Sequence, residues 1–249
     1  LQLTNDASIN GLTVGKGASS VSTNTALGNT ALGSNTSGSR NVAVGYQSAI
    51  SNTSGAANSS LGMQSLYSTT TGINNSAIGD SALYANSTGS YNTALGSAAL
   101  AQNTTASNNT AVGYQAGYSN TTGNITALGY RALYGNTTGL YNIGIGQNSA
   151  VTNSTGTSLI AIGYNALYSN TSGVNNIAIG SYDITNNIQG AMYANTTGSQ
   201  NTAIGVSALW SNTTASNNTA VGYQAGYSNT SGTGNYFGGT QAGYSSVSA

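Results

Sequence analysis

The chain contains no cysteine, no histidine and no proline, and only three basic and three acidic residues among 249. Without cysteine there are no disulfides and no thiolate metal sites, so the sequence does not fix a redox compartment. Binding phosphates requires clustered lysine and arginine, and this composition therefore predicts no nucleic-acid partner and no anionic lipid surface. No apolar run approaches the ~18 residues of a membrane span, so we expect no membrane insertion by this segment.

Catalytic groups are equally scarce. Nucleophilic catalysis needs an activated side chain beside a base, and the usual histidine and cysteine are missing. Asp80 and Asp183 are far apart along the repeats, so a carboxylate pair for glycoside hydrolysis would have to come from different chains. The acidic Gly-Asp repeats of calcium-binding solenoids are absent as well. We therefore expect no enzyme, no cofactor and no metal ion.

What the sequence does contain is a unit of 17 residues that repeats from Asn24 onwards, with Asn109-Thr110-Ala111-Val112-Gly113 as a representative core. The glycine that closes this core recurs as an anchor at Gly28, Gly45, Gly62, Gly79, Gly96, Gly113, Gly129, Gly146, Gly163, Gly180, Gly205, Gly222 and Gly239. Only two intervals depart from 17: one of 16 after Gly113 and one of 25 after Gly180. A period this short and regular predicts a solenoid, and it argues against a disordered low-complexity polymer.

The repeat divides the chain into two regions. Residues 1–23 form a lead-in and N-terminal cap with a turn signal at Asn10-Gly11, and residues 24–249 form continuous solenoid repeats. The first repeat is compressed, because a second Asn-Thr-Ala-Leu-Gly follows it at once at 29–33. An eight-residue insertion near 182–190 is expected to leave the coil as a surface loop. The chain ends in the turn of the thirteenth coil, where we expect a further segment or a docked partner to cover the last rung.

Within each unit the residues before the anchor read as a short strand, with Val42 and Val44 on one face and Ala43 on the other. The Asn that precedes the strand is expected to form a hydrogen-bonded ladder along the stack. A second strand, Gln-Ala-Leu-Tyr-Ser, is expected after the anchor, and a turn, Asn-Thr-Thr-Gly, closes the unit with its glycine at positive φ. No helix is expected, except that the insertion leaves room for one. The predicted structural anchors are Gly45, Gly113, Gly163, Gly222, Val44, Val112, Ile162 and Val221.

The core Asn41-Val42-Ala43-Val44-Gly45 resembles the head repeat of YadA-type trimeric autotransporter adhesins. The longer unit, Asn-Thr-Ala-Val-Gly-Tyr-Gln-Ala-Leu-Tyr-Ser-Asn-Thr-Thr-Gly, is more similar to the repeats of phage tail-fibre proteins and related bacterial surface fibres. This resemblance covers nearly the whole chain. It implies an all-β fold, a parallel left-handed β-roll or β-solenoid of about thirteen 17-residue coils, assembled as a homotrimeric fibre. The three extra residues per coil depart from the adhesin pattern.

Burial energetics also favour an oligomer. One coil offers about four aliphatic or alanine side chains for burial, worth roughly 3–6 kcal/mol, against an ordering cost of about 1–2 kcal/mol per residue. Sharing one face among three chains would hide the Val and Ile columns that a single chain leaves exposed. The sequence therefore predicts the shaft of a virion tail fibre that serves host attachment. The alternative is the head of a bacterial trimeric adhesin on the cell surface.

The sequence leaves two binding functions open for the side of the coil stack. The tyrosine column could stack on sugar rings of a cell-surface polysaccharide, or it could simply cover the outer surface of the coils. Residues that depart from the repeat consensus in or near the insertion are candidate ligand-binding residues, namely Tyr182, Asp183 and Trp210. The paired threonines also suggest an ice-binding solenoid as a minor alternative, although the pairs lie at a turn and not on alternate residues of one flat strand.

Overall fold

The structure is a computed structural model that describes residues 6–10, 12–183, 185–187 and 189–247. Gly11 of the expected hairpin turn, Ile184 and Ile188 of the insertion, and the last two residues of the final coil lie outside the described residues. The chain forms two compact units, Leu1–Thr122 and Gly123–Ala249. The boundary falls inside the one interval of 16 residues, between the anchors Gly113 and Gly129.

The first unit contains eight strands, each paired with its neighbours in chain order. The strands are β1 (Ala7–Ile9), β2 (Leu12–Gly15), β3 (Thr25–Leu27), β4 (Val42–Val44), β5 (Ser59–Leu61), β6 (Ser76–Ile78), β7 (Thr93–Leu95) and β8 (Thr110–Val112), with a 3-10 turn at Ala18–Ser20. β1 and β2 form an antiparallel hairpin, and β2 pairs antiparallel with β3. From β3 to β8 every pair is parallel, and its register is one repeat, as in Val42↔Ser59.

The second unit contains seven strands in the described part of the chain, all parallel to their neighbours. They are β9 (Ile125–Leu128), β10 (Asn142–Ile145), β11 (Ile160–Ile162), β12 (Ile177–Ile179), β13 (Thr202–Ile204), β14 (Thr219–Val221) and β15 (Tyr236–Gly238). The insertion shifts the pairing of β12 and β13 to 25 residues, as in Ile177↔Thr202, without breaking it. The described residues contain no α-helix. The predicted all-β parallel solenoid is therefore confirmed, and each coil carries one strand.

A narrow core of small side chains fills each coil. The central residue of the strand, two before the anchor, points inward and is alanine in most coils, with at most 1% of its surface exposed. These alanines are Ala26, Ala43, Ala77, Ala94 and Ala111 in the first unit and Ala127, Ala161, Ala178, Ala203 and Ala220 in the second. In the last coil Phe237 takes this place, and the facing positions are then Gly226 and Gly243, where an added Cβ would meet the Phe237 ring. The coil interior therefore has a fixed volume that neighbouring residues share.

The segment after each anchor is a turn, so the prediction of a second strand there is wrong. The residues two and four positions after the anchor have positive φ, as in Gln64 (53°) and Leu66 (51°). This left-handed backbone bends the chain back within a few residues, which an extended strand could not do. The amides still bond to adjacent coils, since Gln64 N donates to Tyr46 O (2.8 Å) and Leu66 N donates to Ala82 O (3.0 Å). The Leu66 side chain still points into the coil interior, where it is fully buried.

The anchor glycines lie where coils approach most closely. All except Gly180, which leads into the insertion, have φ between 110° and 149°. A Cβ at Gly79 would lie 2.6 Å from the carbonyl oxygen of Gly96, and one at Gly163 would lie 2.6 Å from that of Gly180. Both the conformation and the space therefore exclude a side chain, as expected for Gly45, Gly113, Gly163 and Gly222.

Two other expectations about local structure are corrected. The glycine of the Asn-Thr-Thr-Gly turn does not adopt positive φ; at Gly139 an added Cβ would instead lie 2.6 Å from Asn136 Oδ1 and against Gly156 O. Successive coils pack closely at this position, which is glycine in most coils and a buried alanine in two of them, Ala106 and Ala215. The first coil is also not compressed, because residues 29–33 form its regular left-handed turn. Leu32 has φ 50° there, and its amide donates to Ser48 O at 3.1 Å.

Two buried asparagine columns hold the coils in register. In the predicted column, four residues before the anchor, Asn58 Oδ1 accepts from Asn75 N at 2.9 Å, and Asn58 Nδ2 donates to Gly72 O at 2.8 Å. The ladder is confirmed. A second column lies seven residues after the anchor, in the Asn-Thr-Thr-Gly turn, where a side-chain bond to the turn's own backbone is typical. This column bonds its own turn and is also a ladder, since Asn52 Nδ2 donates both to Gly55 O (3.1 Å) and to Asn35 Oδ1 (2.8 Å).

Candidate functional site

The first surface feature is an aliphatic column formed by the outer face of the strands. The two residues that flank the central, inward-pointing residue of each coil's strand point away from the alanine core. In the first unit Leu27, Val42, Leu61, Ile78 and Leu95 are between 38% and 49% exposed, and Val44 and Val112 are half-buried. In the second unit Val221 is 40% exposed and Ile162 is half-buried. The aliphatic anchors predicted from the sequence thus face outward in the single chain.

The second surface feature is an aromatic column five residues after the anchor. In the first unit the rings of Tyr67 and Tyr84 are 4.9 Å apart with an interplanar angle of 7°. In the second unit a continuous stack, with centroid separations of 4.9 to 6.4 Å, consists of Tyr168, Tyr193, Trp210, Tyr227 and Tyr244. Successive coils present equivalent positions one strand spacing apart, which is close to the stacking distance of aromatic rings.

Stacking changes the ionisation of the tyrosines inside the column. Burial between neighbouring rings raises the pKa of Tyr193, and the nearby phenols of Tyr168 and Tyr164 add to the effect. Burial likewise raises the pKa of Tyr227, with contributions from Tyr244 and Tyr223. The folded column therefore favours neutral phenols over phenolates.

The three candidate ligand-binding residues do not form one site: Tyr182 and Trp210 contact different aromatic columns, and Asp183 bonds within the insertion. Tyr182 packs against Tyr164, the residue after the anchor Gly163, with ring centroids 5.3 Å apart. The Tyr182 hydroxyl donates to Asn187 Oδ1 at 2.7 Å. Trp210 lies in the aromatic stack between Tyr193 and Tyr227. Its flat ring continues the stack, so its departure from the consensus has a structural explanation.

Asp183 is used by the insertion itself. Its Oδ1 accepts from the backbone amides of Thr185 (2.9 Å) and Asn186 (3.3 Å), and its Oδ2 accepts from Asn186 Nδ2 (2.8 Å). The side-chain hydrogen bond from Asn186 is the main cause that lowers the pKa of this exposed carboxyl group. Asp183 therefore acts first as a turn-forming carboxylate, in the manner of an Asx turn.

The insertion leaves the coil and returns to it at the positions expected from the sequence. Ala191 N donates to Gly180 O at 3.2 Å, the bond that Ala116 N makes to Gly113 O in an uninterrupted coil. Met192 then occupies the buried leucine position. Ser207 Oγ donates to Gln189 O at 2.7 Å, which fastens the end of the insertion to the next coil.

The threonine column at the turn is partly used in internal bonding. The first hydroxyl of each pair donates to a carbonyl of the next coil, as in Thr53 to Thr70 O (3.0 Å) and Thr137 to Ser154 O (2.9 Å). These hydroxyls are therefore directed along the stack, which weakens the case for a water-ordering threonine array.

Acidic side chains do not converge in the described part of the chain. No cluster of three metal-ligating side chains occurs there, and no helix there could span a membrane. Asp6 binds the cap, accepting from the amides of Lys16 and Gly17 at 2.7 Å each, while Asp80 accepts from Ser81 Oγ at 2.9 Å.

Comparison with family models, with curated proteins and with solved structures gave no match to this chain.

Proposed function

We propose that this chain is the structural shaft of a virion tail fibre for host attachment, and that three copies assemble through the aliphatic column of the strand faces. The observation that carries the proposal is the repeated exposure of Leu61, Ile78 and Leu95, each more than 40% exposed in successive coils of the first unit. Soluble proteins seldom leave such a continuous apolar column in contact with water unless a partner covers it.

A second copy of the same chain is the occupant that fits this surface best. The column repeats at every coil, so a partner must present apolar groups at the same spacing, and another copy does so by construction. The 2% content of charged residues leaves few charges to oppose association. A fibre shaft also accounts for the scarcity of reactive side chains, since a spacer requires stable coils and no chemistry. A bacterial adhesin head would use the same assembly.

The test is the molar mass of the purified chain by light scattering, for which we expect three times 24.6 kDa. The double variant Ile78→Lys, Leu95→Lys should be monomeric and still folded, because both side chains already face outward. Thr88→Lys, at an exposed turn position, is the matched control and should keep the assembly. A parent chain that is a stable, fully folded monomer would contradict the proposal. Flanking gene sequences then separate the fibre from the adhesin, through a baseplate-attachment segment upstream or a membrane anchor downstream.

A further inference from the structure

The aromatic column of the first unit has a missing ring. Tyr67 and Tyr84 stack in successive coils, the next coil carries Ala101 at this position, and Tyr118 follows one coil later. A cavity of about 670 Å³ lies at this level, with Tyr84, Ala101 and Tyr118 among its lining residues. Ala101 forms the floor of the cavity, because its buried methyl group is too short to reach the level of the tyrosine rings.

The spacing of the two remaining tyrosines matches the thickness of one ring. One coil step separates the Tyr67 and Tyr84 rings by 4.9 Å, so two steps place the Tyr84 and Tyr118 rings about 10 Å apart. A six-membered ring placed midway would lie about 5 Å from each tyrosine, within the range of favourable aromatic stacking. The gap can therefore accept one ring in the place that a tyrosine occupies in other coils.

The rest of the lining describes the chemistry of that ring. The polar groups around the gap are the amides of Gln64, Gln102 and Gln115 and the hydroxyls of Ser81, Thr104 and Thr121. Gln102 lies at the rim, with Nε2 3.4 Å from the Tyr118 hydroxyl. No lining residue is charged, so the cavity offers no counter-ion for a phosphate or carboxylate.

We infer that this gap is a binding site for a neutral pyranose ring of a glycan, held between Tyr84 and Tyr118. The C–H faces of the sugar pack on the two aromatic faces, and its hydroxyl edge bonds to the surrounding amides and hydroxyls. One chain supplies every lining residue, so the site does not depend on the proposed trimer. It also lies apart from the insertion, where sequence reasoning had placed the ligand-binding residues.

The decisive variant is Ala101→Tyr, which completes the aromatic column with the residue that other coils use. Ile50→Tyr is the matched control, because Ile50 occupies the same column one coil before Tyr67, away from the gap. Both variants should fold and assemble like the parent, as judged by circular dichroism and molar mass. Any effect confined to Ala101→Tyr then reports on the gap and not on assembly.

Binding is measured by NMR on chain with isotope-labelled tyrosine rings, using four neutral hexasaccharides of glucose, mannose, galactose and N-acetylglucosamine as probes. We expect at least one probe to shift the Tyr84 and Tyr118 ring signals, with the affinity reduced roughly tenfold or more in Ala101→Tyr and unchanged in Ile50→Tyr. Gln115→Ala should weaken binding to a smaller extent. The inference is overturned if no probe shifts these signals, if Ala101→Tyr binds as well as the parent, or if adenosine, a planar competitor, binds the gap and the sugars do not.

Discussion

Replacing Asn58 with alanine should open the coil stack locally, because the side chain of this residue bonds its own coil to the next one. Its amide nitrogen donates to Asn41 Oδ1 at 3.0 Å, its Oδ1 accepts from Asn75 N and Asn75 Nδ2, and its Nδ2 donates to Gly72 O. Asn58→Ala keeps the first of these bonds, which comes from the backbone, and removes the other three. The Asn75 amide is fully buried and would lose its only side-chain acceptor.

The expected cost follows from that buried amide. A buried donor left without an acceptor costs about 1–3 kcal/mol, and the loss of the bond to Gly72 O adds about 1 kcal/mol. We therefore expect destabilisation of roughly 2–4 kcal/mol, concentrated at this level of the stack. A repeat protein need not unfold in one step, so a local measurement is more informative than a global midpoint.

Hydrogen exchange of the Asn75 amide, resolved by NMR, provides that measurement. An opening free energy lower by 2–4 kcal/mol corresponds to protection reduced by roughly 30- to 1,000-fold. Ser59→Ala, at the adjacent exposed position, is the control and should leave the protection unchanged. If Asn75 keeps its full protection in Asn58→Ala, the side-chain ladder does not hold the coils together, and the backbone bonds alone must do so.

Three further outcomes are expected. Because the pKa values of Tyr193 and Tyr227 are raised in the fold, the aromatic column contributes stability below the ordinary pKa of 10.0 and loses it as the pH rises through the raised values. Phenolate absorbance should show a late-titrating fraction that disappears in the double variant Tyr193→Phe, Tyr227→Phe. Gly226→Leu and Phe237→Ala should each lower the melting temperature, because Gly226 faces the Phe237 ring. The double variant should recover much of the loss, since it restores the Leu–Ala pairing of other coils, whereas additive losses would show that the two positions do not pack against each other. Deleting residues 182–189 restores the 17-residue spacing and places Gly190 two residues after the anchor Gly180, at the left-handed position of the turn. The circular dichroism spectrum should therefore be unchanged, whereas unfolding of the deletion variant would show that the fold requires the insertion.

Parallel pairing and register could be predicted from the sequence because the period alone determines them. If Ala43 and Ser60 occupy equivalent places in successive coils, identical backbone geometry pairs them directly, as the structure shows. The inward position of the alanine also follows from size, since only a small side chain fits between a strand and a turn so close together. The asparagine ladder was predictable for the same reason of stacked equivalence.

The left-handed turns could not be predicted from residue preferences. Leu66 and Gln64 adopt a conformation that costs an L-residue about 1–2 kcal/mol, and propensity therefore argued for a strand. A signal lay in individual repeats, where Gly117, Gly226 and Gly243 replace the leucine and have φ of 59°, 60° and 63°. Those glycines show the conformation that the leucines adopt under the constraint of packing.

The missing ring at Ala101 could not be predicted from the sequence for a related reason. A gap in a column has meaning only if the neighbouring residues stack on each other, and the sequence left open whether the tyrosines bind sugar rings or only cover the outer surface. Tyr182, Asp183 and Trp210 were predicted as ligand-binding residues because they depart from the repeat consensus in or near the insertion. In a periodic protein a small residue in a column of large ones leaves a gap, and the proposed glycan site lies in such a gap at Ala101.

The strained turns also explain why the end coils need protection. Each coil carries its left-handed residues at a local cost, while the bonds that offset this cost run to the coils on either side. A terminal coil has a neighbour on one side only and is therefore the weakest part of such a stack. The first coil avoids this weakness through the hairpin of β1 and β2, where Gly28 N donates to Thr13 O at 2.9 Å. Because β2 runs antiparallel to β3, the hairpin also breaks the parallel pattern at this edge and opposes the addition of another coil there.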